Sequence, residues 1–87
     1  MFRMGTYGHD IQSAMIEQIN IEMEAKGWKQ PELSKQSGIS RSTLHRYMAG
    51  ERDIPLPVFG AISEALGVTY AELATRAQAL LDGKNVR

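Results

Sequence analysis

Residues 29–50 read KQPELSKQSGISRSTLHRYMAG, and the spacing within this stretch decides how the whole chain is read. Pro31 falls in a first helical turn, where a missing N–H costs nothing. Leu33 is the inward position, and Gly38 ends a short helix predicted from about Gln30 to Ser37. Ser40 is an N-cap residue and Gly50 a C′ residue, so a second short helix is predicted over Arg41–Ala49 with both ends marked. Leu44, Tyr47 and Met48 fall at i, i+3 and i+4 and form its inner face. Only Ser37-Gly38-Ile39-Ser40 joins the two helices. So short a link forces a large crossing angle; Gly38 takes positive φ without a Cβ penalty, and Ile39 plugs the corner. This is the geometry of a helix-turn-helix, and on spacing alone also that of an ordinary αα-corner.

Working outward, helical periodicity continues and no segment alternates long enough to make a strand. A helix is predicted from about Asp10, as N-cap, to Lys26, with Ile11, Met15, Ile16, Ile19 and Met23 on one stripe and Gly27 as its stop. Ile21 points the other way. Glu51–Leu56 reads as a loop. Pro57 starts a fourth helix whose apolar stripe is Leu56, Phe59, Ile62 and Leu66, ended by Gly67. Thr69 and Glu72 form a T-x-x-E capping box for a fifth helix. That helix turns Leu73, Ala74, Ala77, Leu80 and Leu81 inward and stops at Gly83. The expected organisation is a flexible N-terminal arm over 1–9, one domain over 10–82, and a polar tail over 83–87.

Eighty-seven residues make one small domain with a modest core. The absence of cysteine excludes a disulfide framework and thiolate metal sites, and fits a reducing cytoplasm. There is no apolar run of membrane-spanning length and no secretory leader pattern. Net charge is zero, but it is unevenly spread. Residues 26–52 carry +4, residues 1–25 carry −3 and residues 53–87 carry −1. A basic middle between acidic flanks is the footprint of one positive face, or else a chance cluster on a solvated surface.

From Gly27-Trp28-Lys29-Gln30 through Ser37-Gly38-Ile39-Ser40 to His45-Arg46-Tyr47, the chain resembles the phage repressor and Cro family of helix-turn-helix domains. The resemblance continues through Gly50-Glu51-Arg52, Ile62, Ala65-Leu66-Gly67-Val68 and Leu73, and covers roughly residues 11–75. It implies an all-α, five-helix fold that docks its third helix in the major groove of double-stranded DNA, usually as a dimer on a two-fold operator. By position, Arg41, Ser42 and Arg46 match residues that reach base edges. Gln30 matches a residue that bonds a backbone phosphate, and Thr43 one at the phosphate edge. Lys29, His45 and Arg52 are expected at phosphates beside them. Trp28 matches a core position, expected between the first and last helices. Two departures stand out. Lys29 replaces the usual Ser, Thr or Asn cap, losing capping strength and adding a phosphate-seeking charge. Met23 and Met48 stand where the family often has a buried Arg–Glu pair; both partners are replaced together, so no lone charge is left, and the two thioethers are expected to be buried against each other.

The helical wheel selects the same face without the family. With Leu44 inward, Ser42 and Arg46 lie about 160° away on either side, with Ala49 between them. Thr43 and His45 flank this ridge, and Arg41 swings forward from the helix start. Arg suits a groove because it pairs bidentately with guanine O6 and N7.

The expected function is therefore sequence-specific DNA binding as a transcriptional regulator, most simply a phage or bacterial repressor of Cro-like or minimal immunity type. The sequence runs only a few residues past the fifth helix, so a separate sensing domain is not expected. The same fold also serves antitoxins of toxin–antitoxin pairs, which a toxin-wrapping tail would favour, and helical adaptors that have lost DNA binding. No catalytic cluster converges, so no enzymatic activity and no cofactor or metal is expected. His9 and His45 lack carboxylates at metal-ligand spacing. Arg3 is in reach of a minor groove if the arm wraps DNA, but an idle tail is the simpler reading of the arm.

Overall fold

A computed structural model describes residues 5–85, and it contains five α-helices: α1 (Tyr7–Lys26), α2 (Gln30–Ser37), α3 (Arg41–Met48), α4 (Leu56–Leu66) and α5 (Tyr70–Asn85). Among the described residues there is no strand. The expectations for Arg3 and for residues 1–4 of the arm, and for the tail beyond residue 85, fall outside the described residues.

One core organises the domain. Ile19, Leu33, Leu44, Ile62 and Leu73, one from each helix, are its largest fully buried side chains. The inward faces predicted for α3 and α5 are found there, with Leu44, Tyr47, Met48, Leu73, Ala77 and Leu81 buried. Leu80 and Ala74 are half-buried at the margin. Helix α5 packs along α1, α4 bridges α5 and α2, and α2 packs on α3. Thus α1, α4 and α5 form the block that backs the short α2–α3 pair.

Several boundaries differ from the sequence reading. Helix α1 begins at Tyr7, so Asp10 is not its N-cap; Asp10 lies in the first turn and its N–H donates to Thr6 C=O at 2.9 Å. The extra turn brings Tyr7 to α5, where its hydroxyl donates to Gln78 Oε1. The buried face of α1 is also wider than the predicted stripe, since it includes Ala14 and Gln18. Helix α5 continues through Gly83, and Lys84 in the added turn pairs with Glu17 of α1. Leu56 was expected on the apolar stripe of α4, yet it is 63 % exposed. It occupies the first position of α4, and side chains there lean toward the helix N-terminus, beyond the end of the core. Ile54, two residues earlier, is buried in its place. Trp28 packs half-buried at the edge of the core with Lys26 Nζ 5.2 Å from its ring centroid.

The capping box at Thr69 forms as expected: Glu72 N–H donates to Thr69 Oγ1 at 3.0 Å and Thr69 N–H donates to Glu72 Oε1 at 2.8 Å. At α2 only half of such a box exists. Lys29 N–H donates to Glu32 Oε1 at 2.7 Å, but an ammonium has no lone pair with which to accept in return.

Across α1 and α5, Glu22 Oε2 accepts from Arg76 at 2.8 Å and from Gln18 Nε2 at 2.8 Å. Burial alone would raise the Glu22 pKa. The hydrogen bonds from Arg76 and Gln18, with the charge of Arg76, outweigh burial and hold it below the ordinary 4.5. A carboxyl lowered on folding stabilises the fold above its unfolded pKa, and that contribution disappears as pH falls through the folded value. Glu22→Gln is therefore expected to flatten the fall of melting temperature below about pH 4.5 while leaving its slope near neutrality unchanged. Thermal melts of both proteins across an acid series check this; parallel curves would refute it.

Candidate nucleic-acid interface

The turn between α2 and α3 is fastened from inside. Ser34, buried on α2, donates its hydroxyl to Ile39 C=O, and Ile39 N–H returns to Ser37 Oγ at 3.3 Å. Gly38 takes φ 79°, the left-handed conformation the corner requires. Ser40 then caps α3, its Oγ accepting from Thr43 N–H at 3.3 Å. At the other end, Gly50 at φ 78° turns the chain so that Glu51 N–H reaches Arg46 C=O at 3.0 Å. Helix α3 ends at Met48, one residue short of the predicted Ala49, which serves as the C-cap.

With Leu44, Tyr47 and Met48 held in the core, the rest of α3 has one orientation. Arg41, Ser42, His45, Arg46 and Ala49 are exposed, and Thr43 is half-exposed at the flank. Lys29 is exposed at the start of α2, and Gln30 beside it is half-buried. These two residues, with Asn20, Met23, Glu24, Gly27 and Trp28, line a shallow open cleft where α1 meets α2. Arg52 follows α3 in the loop, with its guanidinium 5.5 Å from the centroid of the Tyr47 ring. Helix α3 therefore gathers Arg41, Ser42, Thr43, His45 and Arg46 on one short element, and the start of α2 and the loop supply the other three.

The electrostatics separate by face. Among the described residues the ion pairs are Glu22–Arg76 and Glu17–Lys84, both between α1 and α5. Lys29, Lys35, Arg41 and Arg46 have no carboxylate partner among the described residues, although Glu32 and Glu51 lie in the same stretch of sequence. Their charges are available to an outside anion. A rigid, exposed helix carrying unpaired guanidiniums suits the edges of bases and the phosphates beside them.

A family model described as Helix-turn-helix matches residues 19–73. The chain belongs to the repressor/Cro-like helix-turn-helix family. Neither the curated proteins nor the solved structures yield a match. The match spans the end of α1 through the start of α5 and encloses the whole α2–α3 unit. It makes this helix-turn-helix protein a DNA-binding regulator. None of the described helices is long and apolar enough to cross a membrane.

Gln12 escaped the sequence reading. It stands next to the inward stripe of α1, and its carboxamide faces the backbone of Ile54 in the α3–α4 loop. The available clue to Ile54 was an apolar side chain directly after the charged run Glu51-Arg52-Asp53. Nothing local in the sequence points to its partner 42 positions earlier.

Proposed function

We propose that this protein is a transcriptional repressor of phage or bacterial type that occludes a promoter by binding a two-fold operator as a homodimer, with α3 in the major groove. The observation that carries the reading is the outer face of α3: Ser42, Arg46 and Ala49 exposed in a ridge, Arg41 at its leading end, and neither arginine engaged by a carboxylate. In this reading Arg41, Ser42 and Arg46 meet base edges. Lys29, Gln30, Thr43, His45 and Arg52 meet phosphates and set the register.

One helix of this length reads few base pairs, too few for a useful specificity ratio. Two copies with recognition helices about 34 Å apart would read two half-sites on one side of the duplex. Leu56 and Tyr70, 63 % and 42 % exposed at the starts of α4 and α5, are the apolar residues suited to the contact between copies. Of the neighbouring pair Leu80 and Leu81 on α5, the first is half-buried and the second buried, which leaves Leu81 out of such a contact. Selection of bound sites from random DNA tests the reading. Inverted half-sites one helical turn apart, each protecting the same bases, are expected. A single non-palindromic half-site filled by one protein would exclude the dimer, and absence of any enriched site would exclude specific binding.

A further inference from the structure

The loop between α3 and α4 carries Arg52, and it is fastened at both ends. At its start, Gly50 N–H and Glu51 N–H donate to the carbonyls of Tyr47 and Arg46, each at 3.0 Å. At its far end the fastening comes from α1. Ile54 N–H donates to Gln12 Oε1 at 2.9 Å, and Gln12 Nε2 donates to Ile54 C=O at 3.3 Å. A carboxamide suits this place because it gives and takes a hydrogen bond in one plane while staying uncharged. Arg52 stands between the two fastenings. Its guanidinium lies over the Tyr47 ring, and its N–H groups engage no other described residue.

We propose that Gln12 is a positioning residue for DNA binding: by clamping Ile54 it holds Arg52 at the rim of α3, aimed at a backbone phosphate, without touching DNA itself. The proposal rests on the DNA-binding reading of α3 and on Arg52 as a phosphate contact. The physical reason is entropy. A free loop has to be ordered at the moment of binding, and that cost is subtracted from the affinity; a loop ordered on folding carries no such cost. The competing role for Gln12 is narrower: it only satisfies the polar backbone of a buried residue. That role affects stability and leaves the use of Arg52 on DNA untouched.

The two roles part in a salt titration on a short mixed-sequence DNA duplex. In the wild type, Arg52→Ala is expected to reduce the slope of log affinity against log salt by about 0.9, one phosphate contact. Gln12→Met keeps side-chain length and removes both hydrogen bonds. In that background the slope is already shallower, and Arg52→Ala is expected to change it by less than half as much. Amide exchange at Ile54 is expected to quicken in parallel. Should Gln12→Met fail to fold, Gln12→Glu keeps the acceptor, removes the donor and supports the same comparison of the Arg52→Ala effect. A full Arg52→Ala effect in a folded Gln12 variant overturns the positioning role. No Arg52→Ala effect in the wild type overturns it as well, by removing the contact it serves. A wild type that binds no duplex at all overturns the DNA-binding reading itself, a distinguishable result.

Discussion

Truncating Met48 to Ala is expected to lower the unfolding free energy by about 2–5 kcal/mol, and Met23→Ala to do the same. Both side chains are buried, at 9 % and 4 % exposure, and belong to one core cluster with Leu44 and Ile19. Removing either leaves a cavity in a core to which all five helices contribute, and the surroundings relax only in part to fill it. The loss is a large share of the total, since domains have about 5–15 kcal/mol in all. Urea unfolding followed by circular dichroism measures it, and a cost well under 1 kcal/mol for either variant would show that the site collapses freely. The pair also admits a sharper test. Met23→Arg or Met48→Glu alone buries a charge without a partner, which costs about 3–5 kcal/mol. If the two side chains adjoin, the double variant costs clearly less than the sum of the singles. Simple additivity would place them apart.

Arg46→Ala is expected to weaken binding to the selected operator by about 1–3 kcal/mol and to relax the preference at one base pair in each half-site. The contact expected to be lost is a bidentate one, and guanine is the base that offers two acceptors in the major groove, so the relaxed position is expected to be G·C. Gln30→Ala is expected to weaken all sequences by a similar factor if, as proposed, the start of α2 meets backbone and not bases. Lys29→Ala is the charge control, reducing the salt slope by about one unit if its ammonium sits on a phosphate. Arg46 and Lys29 are exposed and Gln30 lies at the lip of a surface cleft, so the melting temperature is expected to stay put in all three. Binding curves on a base-substitution series at two salt concentrations separate these outcomes. An unchanged base preference in Arg46→Ala would mean that α3 does not read sequence through that residue.

Local grammar carried most of the fold. Gly38 and Gly50 are where the chain turns out of α2 and α3, Ser40 and Thr69 cap as their identities indicate, and the inward faces of α3 and α5 are read directly from spacing. What spacing could not supply came from contacts distant in sequence. Helix α1 gains a first turn where Tyr7 meets Gln78, and α5 gains a last turn where Lys84 meets Glu17; neither partner is visible from its own segment. Leu56 misled because composition marks a residue as apolar but not which side of a helix end it occupies. The candidate site was legible for a related reason. Its residues lie on two adjacent short helices and the chain just before and after them, so their mutual placement is nearly local, whereas Gln12 meets Ile54 across 42 positions.

The uneven spread of charge along the chain has a kinetic consequence. A molecule with zero net charge gains little overall pull toward DNA, yet a stretch of +4 over residues 26–52 lies between flanks of −3 and −1. In the field of a polyanion such an uneven distribution exerts a torque before contact, and if α3 is the element that docks, encounters that begin with it facing the duplex would be favoured.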